Sequence, residues 1–260
     1  MAHVVITGGA HGLGAALAEG FARSGHAVAV LDLDASAAAE RATSLSALGG
    51  AALGIGCDVT SPADCRSAVE EVTATWGDID ILVANAGITH MGKVDETDVE
   101  VIRRVMDVNF FGAVHCTRAA LPSLLARRGQ VVAISSVAGF APLATRAGYV
   151  SSKHAVEGFF STLRTEYAAD GLAVTLVRPS FVHTGIGSRA LGPDGRATGE
   201  DVRTGVGHEL SAEDAARITL RGIEARRRVV WVGREARLAW WLSRVWPAAY
   251  ERQMVRRTLG

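Results

Sequence analysis

A tyrosine and a lysine stand four residues apart in Tyr149-Val-Ser-Ser-Lys153, just after a glycine-containing bend. On a helix, positions i and i+4 share a face. A phenol ordinarily releases its proton near pH ~10, and a fixed ammonium beside it favours the phenolate. The pair is therefore suited to proton transfer near neutral pH. Taken alone, such a pair is more commonly a surface tyrosine packed on a lysine stem.

A second pattern could bind phosphate. Thr7-Gly-Gly-Ala-His-Gly-Leu-Gly14 follows a β-branched run and precedes a helix-like one. Glycine lets the backbone bend and approach a ligand closely. The start of a helix offers free N–H groups and a positive dipole end to a pyrophosphate. The spacing of Gly8, Gly12 and Gly14 is G-x-x-x-G-x-G, not the strict G-x-G-x-x-G, and a tight turn with no ligand is the competing reading. Asp32 comes eighteen residues after Gly14, at the end of the next strand-like run. A carboxylate there can accept hydrogen bonds from adenosine ribose hydroxyls and would repel a 2′-phosphate. Leu33 follows it, no Arg or Lys comes before Arg41, and His11 is the one potential cation in the turn. These residues favour NAD over NADP. Asp34 reads as the N-cap of the following helix.

The elements that must position these groups alternate. Strands are expected at 3–7, 26–34, 51–59, 79–87, 130–136, 172–179 and 228–233. Helices are expected from Leu13 to Phe21, over 35–48, from Ser61-Pro62 onward, over 95–126 and over 148–169. Runs apolar on both faces, alternating with helices, imply an α/β fold. It is a doubly wound, Rossmann-type, seven-stranded parallel sheet with helices on both faces. No linker or repeat divides 1–233, which reads as one domain. The pattern breaks down from Thr184 to His208, where seven of residues 185–207 are glycine, so 184–208 is expected to be a mobile substrate loop.

Composition excludes several classes. Lys+Arg and Asp+Glu both number 27, so no basic excess points to nucleic acid. Cys57, Cys65 and Cys116 have no metal-like spacing, so no metal is expected, and their odd, scattered set suggests reduced thiols. No charged leader precedes a long apolar run and no span is long enough to cross a bilayer, so a cytoplasmic protein is expected.

Six motifs in order over residues 4–184 resemble the short-chain dehydrogenase/reductase family. The glycine turn resembles its cofactor turn, Asp58-Val59 its adenine-contacting dipeptide, and Asn85-Ala86-Gly87 its strand-four motif. Asn109, Ser136, Tyr149 and Lys153 fall at the family's separations of 27, 13 and 4. Arg178-Pro179-Ser180-Phe181-Val182-His183-Thr184 resembles the segment flanking the nicotinamide, which places Pro179, Ser180, Val182 and Thr184 at the cofactor. Two positions depart from the pattern. Ser180 stands where the family has glycine, and its Cβ could crowd the nicotinamide. Ala84 replaces the first asparagine of the strand-four motif.

The resemblance implies oxidation of a secondary alcohol or reduction of a ketone. Tyr149 would be the general base or acid. Lys153 would lower the phenol's pKa and hold the nicotinamide ribose. Ser136, at the carboxyl end of strand five, would hydrogen-bond the substrate oxygen. Asn109 would hold a water linking Lys153 to solvent, although taken alone it more often reads as a structural residue that distorts a helix. From the residues alone, Ser135 and Ser136 could be strand-end caps, and the resemblance selects Ser136. Ser151 and Ser152 read as helix packing, and His154 falls on another helix face. His183 could meet ligand or only the loop.

Residues near 90–93, 137–147 and 181–210 should wall the substrate cleft. Phe140, Pro142, Leu143, Phe181, Ile186 and Leu191 suggest a lipophilic, steroid-like or long-chain alcohol or ketone. Arg146 and Arg189 are candidates for a substrate carboxylate. The segment 234–260 holds six arginines against two glutamates, and four of the five tryptophans lie in the last thirty residues. Leu238, Trp241, Leu242 and Val245 form a helical stripe, with Pro247 expected to break it. Such a stripe is usually a subunit interface or a flap, so a homodimer or homotetramer is expected, while the basic, Trp-rich amphipathic composition also fits peripheral contact with a membrane. Two other functional readings compete: a catalytically silent NAD-binding sensor or scaffold, and an NADP-dependent carbonyl reductase.

Overall fold

The computed structural model describes residues 1–199 and 209–258. Nine strands and nine helices are described, in the order β1 His3–Thr7, α1 Gly12–Arg23, β2 Ala27–Asp32, α2 Ala35–Ser46, β3 Ala52–Gly56, α3 Pro62–Trp76, β4 Ile81–Ala84, α4 Val99–Met106, α5 Gly112–Ala126, β5 Gln130–Ile134, α6 Ala147–Glu166, β6 Ala173–Pro179, β7 Val182–His183, β8 Leu210–Ser211, α7 Ala212–Glu224, β9 Val229–Val232, α8 Arg234–Val245 and α9 Pro247–Thr258. Seven strands form one parallel sheet in the order β3-β2-β1-β4-β5-β6-β9. The chain winds outward from β1 in one direction and from β4 in the other. Their carboxyl ends leave a crevice where the order reverses, which is where open α/β sheets bind ligands.

Alternate strand residues feed two apolar layers. Val5, Leu31, Leu82, Val131 and Leu176 face α3, α5 and α6, meeting Val72, Leu124 and Phe160. Val4, Ile6, Val30, Val132 and Val230 face the other way, onto Leu17 and Phe21 of α1, Leu45 of α2 and Ile223 of α7. Both faces are covered, so the strands read as continuous apolar runs. A third, smaller layer joins Val137 and Ala141 to Ala236 and Tyr250, with Phe140, Trp231, Leu242 and Met254 packed around it. It fastens the inner side of α8 and α9 to the segment after β5.

Three features differ from the sequence expectation. The long helix over 95–126 is interrupted by a π turn at Asp107–Phe111 between α4 and α5. Helix α7 lies where no helix was expected; Ser211 caps it by accepting from the Asp214 N–H at 3.0 Å. The 184–208 segment, in its described part, carries backbone pairing that the broken sequence pattern does not announce, with Leu191 N donating to Thr89 O and Met91 N to Leu191 O; residues 200–208 of the expected loop lie outside the described residues. Pro247 does end the α8 run and starts α9. Among the described residues, no helix is long and apolar enough to cross a membrane.

Candidate active site

The crevice is built first by a knot between β1 and β4. Thr7 Oγ1 accepts from Asn85 N and Ala86 N, both at 3.0 Å. Asn85 Nδ2 donates back to Thr7 O and Gly8 O, both at 2.9 Å. Gly8 has φ +61°, and a Cβ there would lie 2.9 Å from Ala86 Cα. The turn therefore needs glycine on both conformational and steric grounds. Its helix begins at Gly12 with His11 as an N-cap that makes no side-chain cap hydrogen bond. No side-chain oxygen takes the place an anion would occupy at this helix start.

A cleft of about 360 Å³ opens along the sheet's carboxyl edge. The turn contributes Gly8, His11, Gly12 and Leu13, and β2 contributes Asp32 and the following Leu33. Asp58 and Val59 follow β3, and Asn85, Ala86 and Gly87 follow β4. Tyr149 and Lys153 come from α6, and Pro179, Ser180, Val182 and Thr184 from the end of β6 and the segment beyond. Of the expected cofactor residues, Gly14 alone is absent from this wall. It is buried, and a Cβ there would stand 2.6 Å from Asn85 Nδ2 and nearer still to Gly8 O, so its task is to let α1 close on the knot. Arg104 and Arg189 add two cations to the cleft; sequence reasoning missed Arg104 and expected Arg189 at a substrate carboxylate. Arg104 carries no local signal to separate it from Arg103, which pairs with Glu100.

At the far end of the cleft, Asp32 Oδ2 accepts from Ala10 N at 3.1 Å. Arg41 returns from α2 to donate to Ala10 O at 3.3 and 3.4 Å, although it does not line the cleft. Ser180 Oγ is buried without a hydrogen-bond partner and lies against the position a Gly233 side chain would take.

Around the reactive pair, Ser136 opens the short 3-10 turn Val137–Gly139, accepting from Ala138 N at 3.1 Å. Its side chain lies beside the Tyr149 phenol in the wall of the cleft and favours the phenolate. Ser135 Oγ is instead buried without a partner, so the geometry separates two serines that the residues alone left open. Lys153 is buried, and its Nζ donates to Ile134 O at 2.8 Å while lying 5.8 Å from the centre of the Tyr149 ring. Burial pushes the Lys153 ammonium down to about 8, against a smaller pull from Glu157.

The expectation that Lys153 depresses the phenol's pKa is not met in this structure. Burial raises the Tyr149 pKa, the neighbouring Ser136 hydroxyl lowers it in part, and the opposing cation is Arg146. Tyr149 is half-buried, so its phenolate loses water that the distant ammonium does not replace. Arg146 is buried at the head of α6, with Nη1 donating to Thr89 Oγ1 at 3.1 Å. Burial lowers the Arg146 pKa, and beside it burial together with Arg146 lowers that of His90.

The Asn109 side chain is consumed by structure. Its Oδ1 accepts from Ile88 N at 2.8 Å, and its Nδ2 donates to Ile88 O at 3.0 Å and Ser152 Oγ at 2.9 Å. Ser152 Oγ donates in turn to Tyr149 O. Ser152 thus ties the tyrosine's helix to the π turn, while His154 is exposed and bonds Val150 O.

A second opening meets the first at Ser136 and Tyr149. Leu143, Phe181 and Ile186 line it as expected, with Thr89, Val137, Arg146, His183 and Glu209. Phe140 does not. Its ring stacks edge-on with Trp231 at 5.8 Å and lies 5.5 Å from the Arg178 guanidinium, beneath the C-terminal helices. Pro142 and Leu191 are also absent from this wall; Leu191 is buried in bridges to His90 and Ala197. Arg189 lines the cofactor-side cleft rather than this opening. The wall is therefore more polar than the loop sequences suggested.

A family model described as short chain dehydrogenase matches residues 2–191. The chain belongs to that family. It is 37% identical over 203 residues to Dehydrogenase/reductase SDR family member 7B of Bos taurus, covering 75% of this chain and 62% of the relative. It is 38% identical over 193 residues to 2-(S)-hydroxypropyl-CoM dehydrogenase 3 of Xanthobacter autotrophicus, covering 74% and 76%. The chain thus spans about three fifths of the length of the first of these relatives. Among solved structures, a short chain dehydrogenase/reductase from Burkholderia phymatum in complex with NAD superposes with TM-score 0.83 at 27% identity, covering 97% of this chain and 95% of that one. An alcohol dehydrogenase from Thermococcus sibiricus complexed with 5-hydroxy-NADP, with TM-score 0.77, 24% identity and coverage of 89% and 95%, shares the fold.

Proposed function

We propose that this chain is an oxidoreductase that moves a hydride between NAD(H) and a secondary alcohol or ketone with an apolar flank. The observation that carries this reading is the convergence of Ser136 and Tyr149 at the junction of the two openings, with Lys153 in the wall of the longer one. The longer cleft suits a dinucleotide. It offers an uncapped helix start at one point, the Asp32 carboxylate at its end, and the Lys153 side chain near the tyrosine. The similarity to dehydrogenases and reductases, and to a Burkholderia neighbour solved as an NAD complex, supports the same reading.

A nicotinamide, when bound, supplies or accepts the hydride. Tyr149 donates a proton to the carbonyl oxygen in reduction and takes it from the hydroxyl in oxidation. Ser136 donates a hydrogen bond to the same oxygen and holds it against the phenol. Arg146 favours the phenolate from the substrate side. Lys153, in the wall of the longer cleft, would hold the ribose hydroxyls of a bound nicotinamide cofactor. Leu143, Phe181 and Ile186 exclude water from the substrate's apolar part. Because the Asn109 side chain is engaged with Ile88 and Ser152, its part is to fix the π turn and α6.

A second reading, NADP as the cofactor, draws on Arg41, whose guanidinium reaches the same turn as Asp32. Asp32 lines the cleft and Arg41 does not, which favours NAD. The test is nicotinamide absorbance with NAD⁺ or NADP⁺ over a panel of secondary alcohols, with Tyr149→Phe alongside. Turnover by the wild type, lowered about 10²–10⁴-fold or more in Tyr149→Phe, supports the assignment. A Tyr149→Phe variant as active as wild type would refute it.

A further inference from the structure

The outer face of the C-terminal helix pair is the largest feature that the catalytic reading leaves unused. Ala236 is buried and Ala239 and Leu242 pack inward, so α8 already has a core-facing side. Its other side nevertheless carries Leu238 at 68% exposure, Trp241 at 54% and Val245 at 60%, followed by Trp246 at 70%. Positions 238, 241 and 245 form one apolar stripe on a helix. An isolated exposed leucine needs no explanation, but a stripe containing Trp241 and followed at once by Trp246 does.

Charge surrounds this stripe. Arg234, Arg237 and Arg244 are exposed on α8, and Arg252 and Arg256 on α9. Over 234–260, six arginines and two glutamates leave a net +4, in a chain whose formal charge is zero. The positive charge is thus concentrated where the apolar residues are. Arg244 rests over the Trp240 ring at 5.0 Å, and the long arginine stems can follow an apolar boundary while their heads stay in water.

We infer that the outer face of α8, with Trp246 and the basic side of α9, docks the protein onto an anionic lipid bilayer. Tryptophan, leucine and valine enter the boundary between headgroups and acyl chains, and the arginines meet the anionic headgroups. Charge decides against a second copy as the occupant. Two-fold pairing would set each +4 segment against an identical one, and residues 234–260 hold no carboxylates beyond Glu235 and Glu251 to offset it. The bilayer lies flat on the helix; the structure needs no spanning segment for this.

Cosedimentation of the full chain with vesicles tests the inference without using turnover, so its outcome is separate from that of the catalytic reading. The vesicles are phosphatidylcholine alone, or phosphatidylcholine with about a third phosphatidylserine, followed also by tryptophan emission. The wild type should bind the phosphatidylserine vesicles, shift its emission to the blue, and release as salt rises. Trp241→Ser/Trp246→Ser should lose the blue shift, and Arg237→Glu/Arg256→Glu should weaken partition at least about tenfold. Both variants should keep wild-type circular dichroism and thermal midpoint, since none of these side chains is buried. Absence of binding to either vesicle overturns the proposal. So do variants that partition like wild type, or a wild-type dimer that Trp241→Ser dissolves while vesicles capture nothing. Binding only to an acidic protein, with no vesicle binding, overturns it equally.

Discussion

Removing the negative charge at Asp32, while keeping an oxygen there, isolates the cofactor-selecting part of the site. Asp32→Asn is the substitution of choice because Oδ2 accepts from Ala10 N at 3.1 Å, and an amide oxygen can take over that bond. The weaker bond from Asp34 N, at 3.3 Å, is the one lost. Serine or alanine would orphan Ala10 N and disturb the glycine turn as well. Two unit charges about 4 Å apart interact by roughly 1 kcal/mol in water and about 4 kcal/mol at an effective dielectric of 20. Asp32 is half-buried at the cleft edge, between those limits. A 2′-phosphate placed beside it should therefore be disfavoured by roughly 10- to 10³-fold, and Asp32→Asn should recover most of that factor. The assay is titration of nicotinamide fluorescence with NADH and NADPH, which needs no substrate. Wild type should prefer NADH, and the variant's NADH/NADPH preference should fall by at least about tenfold. An unchanged preference would refute the argument, and a wild type that prefers NADPH would transfer control to Arg41.

Other parts of the molecule give independent expectations. Burial holds the Lys153 pKa at about 8 in the folded chain, against an ordinary lysine value of 10.5. Between those values the unfolded chain binds the extra proton, so stability should rise with pH by roughly 2–3 kcal/mol, until the raised Tyr149 pKa acts in the opposite direction above pH ~10. Thermal midpoints measured against pH should show this rise in the wild-type apoprotein and lose it in Lys153→Met. Gly14→Ala puts a Cβ into Gly8 O and Asn85 Nδ2; it should weaken NADH binding by an order of magnitude or more or cost roughly 1–3 kcal/mol in urea unfolding. Arg178 makes a paired bond to Glu157 at 2.9 and 2.7 Å while lying over the Phe140 and Trp231 rings. Arg178→Met should cost roughly 3 kcal/mol by stranding the carboxylate, and Arg178→Met/Glu157→Met should restore most of it.

The strands were legible because burial on both faces writes unbroken apolar runs, as in Val28–Leu31 and Val131–Ile134. The Tyr149/Lys153 spacing was legible because one helix turn fixes it. What escaped depended on partners distant in sequence. The π turn keeps a helical rhythm through Asn109, and only the bonds from Ile88 and Ser152 show that the helix is reset there. Phe140 sits four residues from Ser136, yet Arg178 and Trp231 draw it away from the substrate wall. Arg41 looked remote from the glycine turn until α2 folded back over Ala10. The phenol's electrostatics failed for a similar reason: spacing put the lysine one turn away, and the carbonyl of Ile134 then claimed its ammonium.

The knot of Thr7 and Asn85 has a kinetic consequence. Its four hydrogen bonds lie entirely within the protein, and they set the glycine turn and the end of β4 in place while the chain folds. The conformational entropy of that turn is then spent before any dinucleotide arrives. Cofactor capture should be a docking event on a rigid lip, with little backbone ordering left to slow it. Exchange of spent for fresh cofactor would accordingly be timed by dissociation, by how long the far side of the cleft, from Pro179 to Thr184, keeps hold of its guest.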